Sequence, residues 1–471
     1  MCEYVVLAFD IGASSGRGLL GYYNTDGKLL RIEEVHRFFH RYVRMAGTVY
    51  WDYITIYNNM LECLRICKKR GIELSCIGID TWAQDYAYIG AHGQLMSAPR
   101  CYRDPVNSTH GTALEELLGL EHKQLYEICG IHMGAINTIR QLEHDRHELP
   151  ELFGNAAYWV NIPYLFVYLL SGTVGCDITL LSGAGLLEST NWQINSEIAE
   201  TLGFADKIPP VYECGTVMAH TSKEIFELTG YDSIPIACIN GHDTSSAVSA
   251  IPERGEFLWV SSGTYGMLGA VSENFSINDR LYEMCTHTTP LGDGRACLMQ
   301  KAGGMYYFQQ CMNFFNDNGD SVTYEELTDY AMSHESDVWF DFDDVATITT
   351  NMPDELRSAC ERNGFAPPQT AGELYVAFAN SLARLTAKKL LLLEQAMGKK
   401  FDKVYVMGGG SKADGVNVRI ARECKKELYT GLYEASSAGN LLAQLVAIGA
   451  ATWHETAEIS ERSFPLRRFE A

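Results

Sequence analysis

Three aspartates follow short apolar runs that have the composition of β-strands. Asp10 follows YVVLAF, Asp80 follows the run at 76–79, and Asp243 comes shortly after the run at 236–239. In open α/β sheets the strand ends border the ligand crevice, so these carboxylates are candidates for one site. Carboxylates can hold Mg²⁺, directly or through water, and can accept a proton from an attacking hydroxyl. Each aspartate alone is equally compatible with capping a turn or a helix.

Three glycine-containing turns also follow apolar runs. They read DIGASSG at 10–16, SSGT at 261–264 and GGG at 408–410. Glycine lets backbone N–H groups approach a phosphate closely, although a single turn of this kind is more often a plain turn. None is a GxxxxGK[ST] loop, and none is a GxGxxG turn that opens a helix after a strand. If these turns bind phosphates, they therefore do so as hairpins.

Strand-like runs alternate with helical patterns along the chain, which indicates the α/β fold class. Apolar runs on both sides of the first two turns predict two β-hairpins, one at the start of the chain and one near residue 260. The repetition of a hairpin with a glycine-containing turn suggests that the chain consists of two related halves. Apolar residues at helical spacing predict helices over 52–70, 158–170, 373–397 and 437–450, the last being the final helix.

Composition limits the classes of partner. The chain has 471 residues, which predicts two or three domains, and a formal net charge of −22. Such acidity disfavours nucleic acid and anionic membranes. We expect no signal peptide and no membrane span, because the first residues lack a basic start before a long apolar core and no apolar run has membrane-spanning length. The 14 cysteines include no CxxC pair, so we expect reduced thiols, no zinc site and a cytoplasmic location.

Motifs spread over residues 5–450 resemble those of the FGGY carbohydrate kinases and follow the family's order. The segment DIGASSGR at 10–17 is especially similar to the one in bacterial rhamnulokinases. The other matching segments are GIDTW at 78–82, YRD at 102–104, GHDTSSAV at 241–248, SSGT at 261–264 and GGG at 408–410, together with WD at 51–52 and EAS at 434–436. Each motif alone is unspecific, whereas the ordered set is highly specific.

The resemblance implies an α/β fold of two ribonuclease-H-like domains, as in actin-like ATPases and sugar kinases, that flank a catalytic cleft. The implied domains are 1–239 on the sugar side, with the first phosphate hairpin, and 240–455 on the nucleotide side, followed by a tail at 456–471. The implied ligands are ATP, Mg²⁺ and a small-molecule sugar. The implied assembly is a monomer or a homodimer.

The resemblance also implies roles for single residues. Asp243 is the expected general base, and Asp10 is expected to hold Mg²⁺ through water. The residues expected at the sugar are Trp82, Ala83 through its backbone, Arg103, His242, Thr244 and Lys301. The residues expected at the nucleotide are Ala13, Ser14, Ser15, Gly16, Arg17, Thr264, Gln309, Gly408, Gly409 and Gly410.

Some positions depart from the rhamnulokinase pattern. Ala83 and Gln84 stand where glycine and valine are usual, and Lys301 stands where an asparagine is expected. No second arginine follows Arg103-Asp104, and Tyr265-Gly266 replaces the usual Trp-Ser pair. The expected reaction is phosphorylation of a ketose hydroxyl by ATP, with L-rhamnulose giving L-rhamnulose 1-phosphate as first choice. L-Fuculose and a xylulokinase-like substrate are the alternatives.

Two rival classes remain open from the sequence. A phosphohydrolase on the same scaffold would use water as its nucleophile and would consume ATP without added sugar. A non-catalytic nucleotide-binding or assembly protein would resemble the actin-like relatives of the fold. The aspartates Asp10 and Asp243 and the motifs on the sugar side favour the kinase.

Overall fold

The computed structural model describes residues 4–109, 113–274 and 276–470, and it confirms the α/β class. The strands are β1 Tyr4–Ile11, β2 Ser15–Asn24, β3 Leu29–Phe39, β4 Tyr42–Met45, β5 Thr48–Trp51, β6 Cys76–Thr81, β7 Tyr86–Gly90, β8 Ala156–Asn161, β9 Thr216–His220, β10 Pro235–Cys238, β11 Phe257–Ser261, β12 Gly266–Ser272, β13 His287–Pro290, β14 Ala296–Ala302, β15 Lys403–Met407, β16 Glu427–Leu432 and β17 Arg467–Phe469.

The α-helices lie between these strands and after them. They are α1 Tyr53–Lys69, α2 Ala113–Leu118, α3 His122–Cys129, α4 Thr138–Glu148, α5 Pro150–Asn155, α6 Ile162–Ser171, α7 Ile178–Ala184, α8 Ser196–Thr201, α9 Lys223–Thr229, α10 Asp243–Ser249, α11 Asp279–Glu283, α12 Tyr306–Asp317, α13 Tyr324–Ser333, α14 Met352–Arg362, α15 Ala371–Met397, α16 Asp414–Cys424, α17 Ala435–Ala447 and α18 Trp453–Ser463. Within the described ranges, every helix is too short or too polar to cross a bilayer.

The chain divides into two compact units. The first consists of Met1–Arg254, Ser276–Cys297 and Ala435–Ser463, and the second of Gly255–Phe275, Leu298–Glu434 and Phe464–Ala471. These units differ from the expected consecutive domains, because the chain returns to the first unit twice. The residues expected as a tail, 456–471, contain the end of α18 and the edge strand β17. The expected boundaries of the family domains stay a prediction.

The first unit is built on a sheet with the strand order β3-β2-β1-β6-β10-β9. Strand β1 pairs antiparallel with β2 and parallel with β6, which confirms the first predicted hairpin. Every residue of β6 is buried, as expected for a central parallel strand that is covered on both faces.

Helix α17 packs on this sheet and brings polar side chains onto it. A Cβ atom on Gly78 of β6 would collide with Asn440 of α17, so only glycine allows this close approach. Gln444 donates from Nε2 to the carbonyl oxygen of Leu7 at 3.1 Å. Helix α17 also crosses α10 closely, since a Cβ on Gly439 would collide with the carbonyl oxygen of Ser246. The helix that begins at Asp243 is therefore held against α17.

The second unit repeats the topology of the first. Its strands run in the order β14-β12-β11-β15-β16-β17. Strands β11 and β12 form the second predicted hairpin, which is confirmed, and β11 then pairs in parallel with β15. Strand β15 pairs in parallel with β16, and β17 closes the edge in the antiparallel sense.

The predicted helices over 52–70 and 373–397 are confirmed as α1 and α15. The Asp52 carboxylate accepts the backbone N–H of Thr55 at 3.1 Å and so caps the start of α1. Helix α15 begins with a capping box between Thr370 and Glu373 and ends at Gly398, whose φ of 65° is left-handed.

Two predicted helix boundaries are wrong. Residues 158–161 are not helical but belong to β8, which pairs antiparallel with β7, and α6 starts only at Ile162, with Pro163 in its first turn. Pairing with β7, which lies far away in the sequence, makes these residues a strand and not a helix. The helix predicted over 437–450 is α17, which ends at Ala447, and α18 follows it as a further helix.

We expect Gly439→Ala to lower the free energy of unfolding by about 1–3 kcal/mol, because the added methyl group forces α17 and α10 apart. Activity should fall with it, because α10 starts at Asp243. Gly154→Ala is the matched control, since Gly154 is an exposed helical glycine with no neighbouring atom in the way. Thermal and urea unfolding measure both effects; equal stability of the two variants would contradict the close crossing.

Candidate active site

Three aspartates meet at the carboxyl edge of the first sheet. Asp10 on β1 lies opposite Asp80 on β6 in the parallel register. Beyond β6, Thr81 donates its N–H to the carbonyl oxygen of Gly241 at 3.0 Å, two residues before Asp243. The charge of Asp10 raises the pKa of both Asp80 and Asp243, although burial is the larger cause at each. The strand ends therefore gather carboxylates as the sequence predicts.

Asp10 is held by hydroxyl groups and an arginine. Its Oδ2 atom accepts from Ser437 Oγ at 2.6 Å and Ser436 Oγ at 2.7 Å, and it pairs with Arg17 Nη2 at 2.8 Å. Among the described residues, every hydrogen-bond donor to Asp10 contacts Oδ2, which leaves Oδ1 for another partner. Sequence reasoning missed Ser437 and the pairing of Arg17 with Asp10, although the EAS motif at 434–436 gave a signal.

Asp80 is completely buried beside Asp10. Its Oδ2 accepts from Asn440 Nδ2 at 2.6 Å, and its Oδ1 has no hydrogen-bond partner among the described residues. Burial, followed by the charge of Asp10, raises the pKa of Asp80 well above the ordinary 3.8. The Asp80 carboxyl group therefore keeps its proton to a higher pH than an exposed aspartate would.

Asp243 occupies the first turn of α10 and keeps 34% of its side chain exposed. Its Oδ1 atom accepts from Thr244 Oγ1 at 3.1 Å and lies 3.5 Å from His242 Nε2. Burial raises the pKa of Asp243 above 3.8, against the opposing effect of His242, and burial lowers the pKa of His242 below 6.5. The site thus holds a reachable carboxylate with increased basicity next to an imidazole that favours its neutral form.

A buried aromatic cluster follows β6. The rings of Trp82 and Trp51 lie 4.1 Å apart, measured between centroids. The buried carboxylate of Asp85 accepts the indole N–H of Trp82 at 3.0 Å and the backbone N–H of Tyr102 at 3.1 Å, and also the indole N–H of Trp51. Burial raises the pKa of Asp85 to about 6. The sequence analysis missed Asp85, although one residue from each of the WD, GIDTW and YRD motifs contacts it.

The other residues expected at the sugar lie in different environments. Ala83 is buried next to Trp82. Arg103 is exposed, with its guanidinium carbon 5.4 Å from the ring centroid of Tyr102 and 5.6 Å from that of Tyr42. Lys301 is exposed on β14 in the second unit. The roles of Ala83, Arg103 and Lys301 at a sugar stay predictions.

The first glycine turn is the tip of the β1–β2 hairpin. Gly12 N donates to the carbonyl oxygen of Ser15 at 3.0 Å, and His40 N donates to that of Ser14 at 3.2 Å. Packing alone requires glycine at position 16, since any side chain there would collide with Phe38. Ala13 is partly buried and Ser14 exposed at this tip. The backbone of the tip is thus fixed, and contact with phosphates stays a prediction.

A pocket of about 660 Å³ lies within the second unit, a size typical of small-molecule sites. Thr264, Gln309, Gly409 and Gly410 all line it, so the structure brings together four of the residues expected at the nucleotide. Gly408 does not line it. The sequence analysis missed the other residues on its wall, which include Tyr324, Glu325, Thr328 and Asp329 of α13 together with Lys412. No motif marked α13 in advance.

Backbone contacts fix the rim of this pocket. The carbonyl oxygens of Gly263 and Thr264 accept the backbone N–H groups of Met305 at 2.9 Å and of Tyr306 at 3.0 Å. Gly410 N donates to the carbonyl oxygen of Ser262 at 2.8 Å, and a Cβ at Gly410 would collide with the Ser262 side chain. A Cβ at Gly409 would meet no protein atom within 4 Å.

The carboxylates at the first sheet fit a hydrated cation better than a directly bound one. Among the described residues, no three His, Cys, Asp or Glu side chains are grouped to hold a metal ion. Mg²⁺ usually keeps several waters and uses one or two protein carboxylates. The Asp10 carboxylate, whose Oδ1 accepts no hydrogen bond from the described residues, is suited to a positive charge placed through water.

Residues 5–249, just over half of the chain, match the model of the FGGY family of carbohydrate kinases, N-terminal domain. The rhamnulokinase of Oceanobacillus iheyensis is 31% identical over 94% of this chain and 93% of that protein. The chain belongs to the FGGY family of carbohydrate kinases. The rhamnulokinase of Bacteroides thetaiotaomicron is 28% identical to this FGGY kinase, over 98% of this chain and 95% of that protein. The rhamnulokinase of Bacillus subtilis is 29% identical, over 99% of this chain and 95% of that protein.

Solved structures show that this FGGY kinase has the two-domain fold of actin-like ATPases and sugar kinases. Xylulose kinase from Rhodospirillum rubrum gives a TM-score of 0.79 at 14% identity and covers 99% of this chain and 93% of its own. Plasmodium falciparum glycerol kinase with ADP gives a TM-score of 0.77 at 14% identity and covers 99% of this chain and 94% of its own. Membership of the FGGY family makes the chain a carbohydrate kinase, a phosphotransferase with an alcohol group as acceptor, and the family implies the use of ATP.

We expect Gly409→Ala to weaken ATP binding without lowering stability, because the added methyl group projects into open space at the pocket and meets no protein atom. Gly410→Ala is the matched comparison and should lower the free energy of unfolding by about 1–3 kcal/mol through its collision with Ser262. Calorimetric titration with ATP and thermal unfolding separate the two effects. Unchanged ATP affinity in Gly409→Ala would place the nucleotide elsewhere.

Proposed function

We propose that this FGGY kinase phosphorylates L-rhamnulose to L-rhamnulose 1-phosphate with ATP, and that Asp243 is the general base. The observation that carries the proposal is the reachable Asp243 carboxylate, with a raised pKa, at the sheet edge where Asp10 and Asp80 also end. The curated relatives named rhamnulokinase support the choice of sugar. A cytoplasmic location and a monomeric or homodimeric state belong to the same proposal.

The sugar is proposed to bind in the first unit beside the base. His242 and Thr244 flank Asp243 in the sequence, and both contact its carboxylate or lie close to it. Trp82 supplies an apolar ring near the end of β6 and Ala83 its backbone. Arg103 and Lys301 are proposed to contact the sugar with their charged ends.

The nucleotide is proposed to occupy the pocket of the second unit. Thr264, Gln309, Gly409 and Gly410 would line it, with Gly408 in the preceding backbone turn. The first hairpin, from Ala13 to Arg17, is proposed to contact the phosphates. Asp10 is proposed to hold Mg²⁺ through water, and when bound the ion offsets negative charge on the phosphates.

The chemistry proposed for these residues is one in-line displacement. The sugar hydroxyl oxygen forms a bond to the γ-phosphorus as its proton passes to a carboxylate oxygen of Asp243. The bond between the γ-phosphorus and the β–γ bridging oxygen breaks, and ADP leaves. The imidazole of His242 would lie beside the carboxylate, with Nε2 3.5 Å from Asp243 Oδ1.

An ATP-consumption assay with a panel of acceptors tests the function. L-Rhamnulose should give the highest kcat/KM, ahead of L-fuculose and D-xylulose, with little ADP formed when no sugar is added. A preference for another ketose would show that L-rhamnulose is the wrong substrate, while the kinase activity would still stand. ADP formation that does not depend on any sugar would favour a phosphohydrolase and contradict the proposal.

We expect Asp243→Asn to lower kcat by roughly 10²–10⁴-fold, because the amide cannot take up the hydroxyl proton. ATP binding, measured by calorimetry, should persist. Asp232→Asn is the control, because Asp232 is an exposed aspartate of the same unit on the loop before β10. Near-normal turnover in Asp243→Asn would remove this residue from the mechanism.

The raised pKa of Asp243 predicts the acid side of the pH–rate profile. Protonated Asp243 cannot accept a proton, so kcat/KM should rise with pH as this carboxyl ionises. The midpoint of the rise should lie above 3.8, because burial disfavours the charged form. Steady-state rates from pH 4 to 9 locate the midpoint, and the residual rate of Asp243→Asn should lack this limb. A kcat/KM that stays at its plateau down to pH 4 would contradict the raised pKa.

A further inference from the structure

Cys285 is the one exposed cysteine among the residues that the structure describes. It lies in the first unit, between α11, which ends at Glu283, and β13, which begins at His287. The other described cysteines are buried, apart from Cys424, which is partly buried. A reagent in solution therefore reaches Cys285 more readily than any other described thiol.

An imidazole lies beside the Cys285 thiol. The Sγ atom is 3.5 Å from Nε2 of His132, which is within hydrogen-bond distance for sulfur. Burial, followed by the charge of His122, lowers the pKa of His132 below the ordinary 6.5. The ring is therefore mostly neutral at about pH 7 and can accept a proton. Because the thiolate is the nucleophile in cysteine chemistry, this neighbour favours reaction at Cys285.

Aromatic rings hold His132 in place. Its ring centroid lies 5.3 Å from that of Tyr282 and 4.7 Å from that of His122. Both ring nitrogens of His122 have partners, since Nε2 is 3.0 Å from the carbonyl oxygen of Met133 and Nδ1 is 3.1 Å from the Tyr282 hydroxyl. The imidazole that faces Cys285 is thus packed against groups that are themselves fixed.

The backbone of Cys285 adopts the left-handed region, with a φ of 51°. Its N–H donates to the carbonyl oxygen of Tyr282 at 2.9 Å, and the N–H of Thr286 donates to that of Leu281 at 3.0 Å, so these residues close the end of α11. Glycine is the usual residue at such a helix end, because it has no Cβ atom to crowd the backbone. Termination of the helix therefore does not explain the cysteine.

A buried hydroxyl group in the same cluster has no hydrogen-bond partner among the described residues. It belongs to Tyr126, whose ring centroid lies 6.4 Å from that of His132 and 5.3 Å from that of Tyr282. Burial, followed by the charges of the Cys129 and Cys285 thiolates, raises the pKa of Tyr126, so its hydroxyl keeps its proton. Buried polar atoms nearly always have a partner, and the partner that fits this donor is an additional oxygen.

We propose that Cys285 is a site of reversible oxidation, at which a hydroperoxide forms a sulfenic acid and a small thiol then forms a mixed disulfide. His132 accepts the thiol proton, and the Tyr126 hydroxyl donates to the oxygen that is added to sulfur. The inference depends neither on the identity of the sugar nor on the role of Asp243.

Two steps make up the proposed chemistry. In the first, the Cys285 sulfur attacks the hydroxyl oxygen of a hydroperoxide ROOH, and a sulfur–oxygen bond forms as the oxygen–oxygen bond breaks. The proton held by His132 passes to the leaving RO⁻, which departs as ROH, so sulfur is oxidised and the peroxide is reduced. In the second, the sulfur of a thiol R′SH displaces the sulfenic oxygen as water, and a disulfide bond forms. A further thiol restores Cys285 by thiol–disulfide exchange.

The test treats the reduced full-length chain with hydrogen peroxide and marks sulfenic acid with dimedone. Peptide mass spectrometry should find most of the dimedone on Cys285, and the whole-protein label should fall accordingly in Cys285→Ser. With glutathione present, Cys285 should instead carry a single glutathione, which dithiothreitol removes. Cys424→Ser is the matched control and should behave as the wild type, because burial raises the pKa of Cys424 to about 12.

Two further variants test the neighbours of the thiol. His132→Gln should slow the oxidation of Cys285 roughly 10-fold, because less of the thiol is ionised. Tyr126→Phe should leave this rate nearly unchanged and shorten the lifetime of the sulfenic acid several-fold, because the added oxygen loses its buried donor. His92→Gln, at an exposed histidine of the same unit, is the control and should change neither value. Thermal unfolding checks that each variant is folded.

Three outcomes would overturn the proposal. They are preferential labelling of any other cysteine, oxidation of Cys285 no faster than in an isolated peptide of residues 279–291, and an adduct that dithiothreitol does not remove. An unchanged rate in His132→Gln would contradict the role of the imidazole, and an unchanged lifetime in Tyr126→Phe would contradict that of the hydroxyl. None of these measurements uses sugar phosphorylation, so they stand or fall separately from the proposed function.

Discussion

The site depends on the crowding of carboxylates at one sheet edge. The parallel register of β1 and β6 places Asp10 opposite Asp80, and the charge of Asp10 reaches Asp243 as well. Such crowding is unfavourable unless protons, hydrogen bonds or cations offset it. The protein offsets it with Arg17, two serine hydroxyls and the amide of Asn440, and a raised pKa lets Asp80 keep its proton to higher pH.

Most of these compensating groups come from α17, more than 400 residues after Asp10. The close crossing of α17 with α10 requires Gly439, and its approach to β6 requires Gly78. The C-terminal part of the chain therefore completes the site of the first unit. The compact units are therefore not consecutive stretches of the chain.

The sequence predicted features that local patterns determine. The sequence predicted both hairpins and the helices α1 and α15. It also predicted the strand-end aspartates Asp10 and Asp80 and four residues of the pocket in the second unit. It did not predict β8, because pairing with β7 decides that strand, or the roles of Ser437 and Asp85, because long-range packing creates their contacts. Positions 83 and 84, where alanine and glutamine depart from the rhamnulokinase pattern, limit how far that pattern predicts the sugar.

A crystal structure with L-rhamnulose and a non-hydrolysable ATP analogue tests the central claim most directly. The account predicts that the oxygen of the sugar's 1-hydroxyl lies about 2.6–3.2 Å from a carboxylate oxygen of Asp243, as proton transfer requires. A bound sugar with every hydroxyl out of hydrogen-bond reach of that carboxylate, directly or through one water, would contradict it.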